Sequence, residues 1–389
     1  MVNTLPRVYL KHPWRLNHPW IFQKLVNKPS ERIKPGTVVE VIGADGQWIG
    51  LGFYNGHSRI ALRILETRPN TPIDQDWFMA KIAHAVALRR NDLQLDSVSQ
   101  AWRLIHSEGD DLSGLVVDRY GDLLVVAFFS AGMFRHREWI YAALRSLFTR
   151  CEIYPVADEH VQKQESFDLR PSGAAPKVII EENGIRFHVD PTHAHKTGFF
   201  VDQRENRQWL GYRVAGRRVL DLCCNTGGFA VYAAARGAQE VTGIDIDEAV
   251  IEIARANAKL NGIKPRWIQA DVFQWLRDLN ARGEQYDVVI LDPAKMTRDR
   301  NEVIRALKKY LDLNKLALLA VKTGGLFATF SCTGLISEEQ FLEMLRRAAF
   351  FAGRRLQVVK VGGAGPDHPF AINVPESRYL KAVFARVWD

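Results

Sequence analysis

In the second half of the chain, aspartates recur where short apolar runs end. Asp221 lies in Val219–Leu222, Asp245 follows Glu240–Ile244, Asp271 comes shortly after Arg266–Gln269, and Asp292 follows Asp287–Leu291. A carboxylate accepts hydrogen bonds and attracts cations, so a row of them suits a ligand rich in donors or positive charge. The first run continues Cys223-Cys224-Asn225-Thr226-Gly227-Gly228-Phe229. A dinucleotide site would read GxGxxG here and lay a pyrophosphate on a helix N-terminus. Cys223 and Asn225 occupy the first two glycine places, and Asp221 would repel a pyrophosphate, which rejects NAD. A ligand carrying an ammonium group suits Asp221, while Gly227 and Gly228 let the backbone approach it closely.

Asp245 is placed to accept from ribose hydroxyls and Asp271 from an adenine amino group. Ile246 and Val272, the next residue in each turn, are counted in the same site. Any one of these acids could instead cap a helix. All four acids beside a Gly-Gly turn fit a cationic adenosine without phosphates, and S-adenosylmethionine is that ligand. A fifth strand runs into Ser331-Cys332-Thr333-Gly334. A lone cysteine is usually inert core, but one at a ligand-facing strand end beside the Asp292 strand could act as a nucleophile. Cys223 and Cys224 read as packing and loop shape.

The elements that must position these residues alternate strand and helix from 191 onward, the signature of a doubly wound α/β sheet. Seven strands are expected, at Val219–Leu222, Glu240–Ile244, Arg266–Gln269, Asp287–Leu291, Leu326–Phe330, Leu356–Val361 and Tyr379–Arg386, the last two paired antiparallel. Upstream, 72–190 reads as a central α+β domain with a hairpin across Asn183-Gly184. Residues 1–71 read as a small β module with strands at Val38–Val41, Trp48–Tyr54 and Ser58–Leu65. Its basic residues, Arg63 among them, interleave with Trp14, Trp20 and Phe22, a pattern suited to phosphates and stacked bases but also to a basic rim around a core.

A chain of 389 residues, 47% hydrophobic and 25% charged, has room for two to three globular domains. Its net charge of +8 favours a polyanionic partner. The four cysteines have neither zinc spacing nor the pattern of a secreted disulfide framework, so no metal is expected. The N-terminus lacks an apolar signal core, and the longest apolar run, Leu123 to Phe134, falls short of a membrane span. A reducing cytoplasm is the expected location. A homodimer is compatible with this plan but not argued by it.

Several stretches resemble the class I S-adenosylmethionine-dependent 23S rRNA cytosine-C5 methyltransferases with an N-terminal PUA domain. They are Arg103 to Arg119, His195 to Arg207, Asp221 to Phe229, Ser331-Cys332-Thr333 and Gly363-Ala364-Gly365-Pro366-Asp367-His368-Pro369. The resemblance implies a PUA β-barrel at 1–71 and a Rossmann-like methyltransferase domain at 191–389. It implies that Cys332 attacks C6 of a cytosine and Asp292 contacts the ring edge. Asp202, Gln203 and Arg204 would line the methionine end of the cofactor. The wider cofactor set is Asp221, Asn225, Thr226, Gly227, Gly228, Phe229, Asp245, Ile246, Asp271, Val272 and Asp292, with S-adenosylhomocysteine as product. RNA would meet Lys11, Trp14, Arg15, Lys295 and His368, and the partner would be 23S rRNA or a large-subunit precursor. The family shows Asp-Pro-Pro, a basic residue and Phe after the fourth strand, whereas this chain has Asp292-Pro293-Ala294-Lys295-Met296. That departure bears on the target base and position, and the cofactor site is expected to survive it; two alternatives stand beside the main reading, methylation of another RNA base without a covalent adduct and an RNA-binding assembly factor with a vestigial cofactor fold.

Overall fold

The computed structural model describes residues 5–14, 18–170, 173–191 and 198–389. Two compact units emerge, one of Met1–Ile180, Val189–Phe199 and Pro366–Ser377, the other of Glu181–His188, Phe200–Gly365 and Arg378–Asp389.

The first unit opens with β1 (Arg7–Tyr9), β2 (Trp20–Phe22), β3 (Thr37–Ile42), β4 (Trp48–Tyr54) and β5 (Ile60–Glu66), in sheet order β1-β3-β4-β5-β2. Lys11 N donates to Leu25 O and Asn27 N to Tyr9 O, both at 2.9 Å, so the segment after β2 pairs back beside β1 and closes a barrel. Closure matters because an open edge offers unpaired N–H and C=O groups to other chains. β1 and β2 have three residues each, too few to register as an alternating pattern.

Next come α1 (Gln75–Ala87), β6 (Ala101–His106), β7 (Leu115–Tyr120), β8 (Leu123–Phe128), α2 (Ala131–Arg135), α3 (Arg137–Leu147), β9 (Glu152–Val156) and α4 (Glu159–Glu165). The sheet order is β6-β7-β8-β9. Asp74 caps α1 by accepting from Trp77 N at 2.9 Å. The boundary expected at 71 is not a break in packing. Leu51, Phe53 and Leu65 of the barrel share one core with Trp77, Phe78, Leu104 and Phe128, and a side chain at Gly132 would meet Phe53 at 2.0 Å. Short β10 (Val178–Glu182) and β11 (Ile185–Val189) follow, with Glu181–His188 counted in the second unit; they pair across Asn183 (φ 52°) and Gly184 (φ 79°), as the Asn-Gly signal predicts.

The second unit holds α5 (Arg204–Gly211), β12 (Arg218–Leu222), α6 (Gly228–Ala235), β13 (Glu240–Asp245), α7 (Glu248–Leu260), β14 (Arg266–Gln269) and α8 (Val272–Ala281). It continues with β15 (Tyr286–Leu291), α9 (Val303–Leu319), β16 (Val321–Ser331), α10 (Glu338–Phe351), β17 (Arg355–Gly362) and β18 (Lys381–Trp388). All seven expected strands are present, in the order β14-β13-β12-β15-β16-β18-β17. β12 to β16 run parallel, and β18 lies antiparallel between β16 and β17. Successive residues point to opposite faces. Leu220, Leu222, Val289 and Leu291 therefore enter one core with residues of α8, α9 and α10, while Val219, Val288 and Ile290 enter another with residues of α5 and α6. Burial on both faces explains why these strands read as continuous apolar runs.

Candidate functional site

In an open parallel sheet, ligands sit beyond the carboxyl ends of the strands. At the end of β12 the backbone turns through three left-handed residues, Cys223 (φ 59°), Asn225 (φ 48°) and Gly227 (φ 79°). Two of these carry side chains, so the loop stores strain of the kind found at functional sites. It is held by Cys224 N to Ile244 O, Asn225 N to an Asp245 oxygen and Gly227 N to Cys224 O, each at 2.9 Å. Gly227 is required by its φ and by the Trp267 ring, which a Cβ would meet at 2.6 Å. Crowding at Gly227 thus comes from the protein itself. At Gly228 a Cβ would meet nothing closer than Arg207 Cδ at 3.5 Å.

Asp221 is 1% exposed. One carboxylate oxygen accepts from Ala230 N at 2.9 Å, while the other is buried without a hydrogen-bond partner. Burial, with Asp292 and Asp245 nearby, pushes its pKa well above the ordinary carboxylate range. A buried carboxylate oxygen left open is costly and calls for a donor or a cation. An ammonium-bearing cofactor satisfies that demand, so the residues present fit S-adenosylmethionine.

Asp245 accepts from Asn225 N at 2.9 Å and from Asp247 N at 3.1 Å, tying two ligand-side loops together. Asp271 accepts from Gln274 N at 2.9 Å and caps α8, so capping accounts for one of its oxygens. Ile246 stands 65% exposed beside Asp245. Thr226 is buried, and its carbonyl accepts from Asn257 at 2.9 Å. Phe229 and Val272 are corrections. Phe229 is buried and stacks on Phe330 with centroids 5.2 Å apart, and Val272 belongs to the core beside Leu276. Both side chains therefore face inward, and what either residue can offer a ligand is its backbone.

The turn Val201–Gln203 leads into α5 and reaches the end of β15. Gln203 Nε2 donates to Asp292 Oδ2 at 2.9 Å, and its Oε1 accepts from Asn206 at 2.6 Å. Asp202 accepts from the Tyr379 hydroxyl. Arg204 is buried, with its guanidinium on Glu205 at 2.8 Å. Arg207, fully buried, forms a two-pronged pair with Glu182, both bonds at 2.8 Å, fastening α5 to the hairpin.

β15 and β16 are parallel neighbours, so Asp292 and Cys332 follow adjacent strand ends. Cys332 is half-buried and not in a disulfide. Its flanking residues are pinned. Ser331 Oγ lies 3.0 Å from the Tyr310 hydroxyl, which lies 3.0 Å from Thr333 Oγ1, and Met296 N donates to Thr333 Oγ1 at 3.1 Å. From β18, Lys381 Nζ donates to Thr333 O at 2.7 Å and Tyr379 O at 2.9 Å. Burial raises the thiols of Cys223 and Cys224 far above the usual cysteine range, and Cys151 is raised for the same reason. Sequence reasoning missed Tyr310, Tyr379 and Lys381, because each comes from an element distant in sequence. The only cue for Lys381 was a lysine inside an apolar strand.

Among the expected RNA contacts, Lys11 and Lys295 are exposed, and Arg15 lies outside the described residues. Trp14 packs against the barrel core, and the Trp20 indole donates to Glu108 at 2.8 Å. Arg63 is also inward, 3.6 Å from both Glu108 and Glu165. The exposed barrel aromatics are Tyr9 and Phe22. His368 is a correction: its side chain is fully buried, with its ring 5.1 Å from that of His106, so it supports its loop and offers no RNA contact surface. Among the described residues, no helix is long and apolar enough to cross a membrane.

Residues 110–369 match the S-adenosylmethionine-dependent methyltransferase family model, and residues 11–67 match a PUA-like domain. The chain is 39% identical over 381 residues, 95% of each chain, to the Ribosomal RNA large subunit methyltransferase I of Tolumonas auensis. It is 34% identical over 378 residues, again 95% of each, to the protein of that name in Escherichia coli O9:H4. In structure it resembles SMU.776, a methyltransferase crystallised with SAH, at TM-score 0.82 and 21% identity over 98% of this chain and 100% of that one. A SAM-dependent methyltransferase from Streptococcus mutans aligns at TM-score 0.80 and 20% identity, covering 98% of this chain and 100% of that chain.

Proposed function

The chain belongs to the S-adenosylmethionine-dependent methyltransferase family, and from that premise we propose that it methylates C5 of a cytosine in large-subunit ribosomal RNA. The RNA class follows the relatives' shared name. The choice of base and chemistry rests on one observation: Cys332 stands at the strand end beside Asp292, while burial keeps the other three thiols protonated.

When bound, the cofactor supplies an electrophilic methyl group. Asp221, with its open buried oxygen, would take the ammonium end, and Asp245 the ribose hydroxyls. Gln203 holds Asp292 in orientation through its 2.9 Å bond. The Cys332 thiolate adds to C6, forming a C–S bond and moving the C5–C6 π pair toward C5. Asp292 hydrogen-bonds the ring edge and assists protonation at N3. After methylation at C5, with the demethylated cofactor left as a neutral thioether, a base removes the C5 proton, the C5–C6 double bond re-forms as the thiolate departs, and N3 gives its proton back to Asp292. The target base must be flipped out or single-stranded to reach the thiolate. Lys295 and the barrel's exposed cations would hold the RNA backbone.

The test is nucleoside mass spectrometry of unmodified large-subunit rRNA after incubation with the protein and S-adenosylmethionine. The expected result is 5-methylcytosine that disappears in Cys332→Ala. Another methylated nucleoside, or 5-methylcytosine that survives the substitution, would discard the thiolate mechanism.

A further inference from the structure

Lysine is rarely buried in a strand interior, because an ammonium loses its hydration there. Lys381 is 4% exposed and lies opposite Ser331 in the antiparallel β16–β18 register. Its Nζ spends two hydrogen bonds on backbone carbonyls, Thr333 O at 2.7 Å and Tyr379 O at 2.9 Å, and among the described residues on no carboxylate that would neutralise it. Those carbonyls are neutral and leave the positive charge available to the residue between Ser331 and Thr333. That residue is Cys332.

Other charged groups act on Lys381. Burial weighs most and lowers its pKa to about 8, Cys332 and Glu338 oppose that fall, and Lys295 and Arg378 add to it. Arg378 is itself paired with Glu338 at 2.6 Å. Tyr310, bonded to both residues that flank the thiol, is raised to about 12, chiefly by burial, and stays neutral. At the neighbouring strand end, Asp292 opposes a thiolate whenever it is ionised. Lys381 is a buried cation that acts on Cys332 from β18.

We infer that Lys381 is a positioning residue for the transfer: its buried ammonium fixes the Ser331–Thr333 strand end and favours the thiolate form of Cys332. The inference rests on the reading of Cys332 as nucleophile, yet it concerns the thiol's own reactivity and is testable without RNA. It also explains why a lysine tolerates this position, since an apolar side chain would leave Thr333 O without its ammonium donor.

The experiment measures iodoacetamide alkylation of Cys332 in the full-length protein against pH, by peptide mass spectrometry. Native protein, Lys381→Gln and Lys381→Arg are compared. Gln keeps an N–H donor without charge, and Arg keeps charge and donors. The expected result is about tenfold slower alkylation at pH 7.5 in Lys381→Gln, its midpoint about one pH unit higher, and a rate within a few-fold of native in Lys381→Arg. A Lys381→Gln protein with native melting temperature and an unchanged pH profile overturns the inference. Should that variant not fold, thiolate absorbance of the native protein, less that of Cys332→Ser, decides. A midpoint below the ordinary thiol value near 8.5 supports the inference, and one at or above it overturns it. Full methyl transfer by Cys332→Ser would instead strike the nucleophile reading, leaving the alkylation result to judge Lys381 alone.

Discussion

Asp221 shows how one residue trades stability for binding. Its folded pKa lies well above that of the free acid, so folding disfavours its ionised form at neutral pH. Asp221→Asn should therefore raise the melting temperature of the cofactor-free protein at pH 7.5. It should also weaken S-adenosylmethionine binding by about 10- to 100-fold, the loss expected for one charge-assisted hydrogen bond. Calorimetry and a thermal scan check both, and unchanged affinity would remove Asp221 from the site. His106 behaves oppositely. Burial, then the charges of His368 and Arg103, hold its pKa well below 6.5. The unfolded chain takes up a proton there below about pH 6.5 while the folded chain does not, so stability present above that pH is lost as pH falls. Chemical denaturation at pH 7.5 and pH 5.5 should show this loss, and His106→Gln should flatten it.

Elements explain why the site needs particular residues far from the chemistry. The β12–α6 turn closes only because Gly227 adopts φ 79° with Trp267 against it. Gly227→Ala should destabilise the protein by about 2 kcal/mol or more, from left-handed strain plus displacement of the indole. Urea unfolding measures this, and a loss below about 0.5 kcal/mol would mean that the ring moves aside without cost. Trp267 also lies where a side chain on Gly243 would meet it at 2.4 Å, so β13 and the turn are both shaped around one indole. At the other strand ends, the Tyr310–Ser331–Thr333 hydroxyl cluster and the Gln203–Asp292 bond link α9 and α5 to the same edge. Rigid elements rather than loops thus hold the reacting groups.

For the whole molecule, the excess positive charge invites a test on RNA. Because Leu51, Phe53 and Leu65 share their core with the segment after 71, deleting the barrel would expose that core. Substituting exposed lysines is the cleaner experiment. Lys11, Lys24 and Lys28 are exposed on the barrel, and changing all three to Ala should weaken RNA binding and reduce the slope of log affinity against log salt. Filter binding across a salt series checks this, and an unchanged slope would exclude these three lysines from phosphate contact.

The sequence by itself determined the doubly wound sheet and its ligand edge, because buried parallel strands are apolar throughout and carboxylates at their ends are conspicuous. The strand-end positions of Asp221, Asp245, Asp292 and Cys332 were legible for that reason, as was the Asn183-Gly184 hairpin. What lay beyond its reach depended on which residues meet across long separations. Phe229 and Val272 sit within the motif stretches yet turn into the core, since position along a turn does not say which way a side chain points. Composition left Trp14, Trp20 and Arg63 open between an RNA-facing surface and a core with a basic rim, and packing and ion pairs draw them inward. Lys381 reaches the carbonyl of Thr333, next to Cys332, only because β18 inserts antiparallel between β16 and β17, a pairing made across almost fifty residues. Hydrophobic period and turn chemistry are local and can be read along the chain, whereas the partner of a buried charge is decided by strand order.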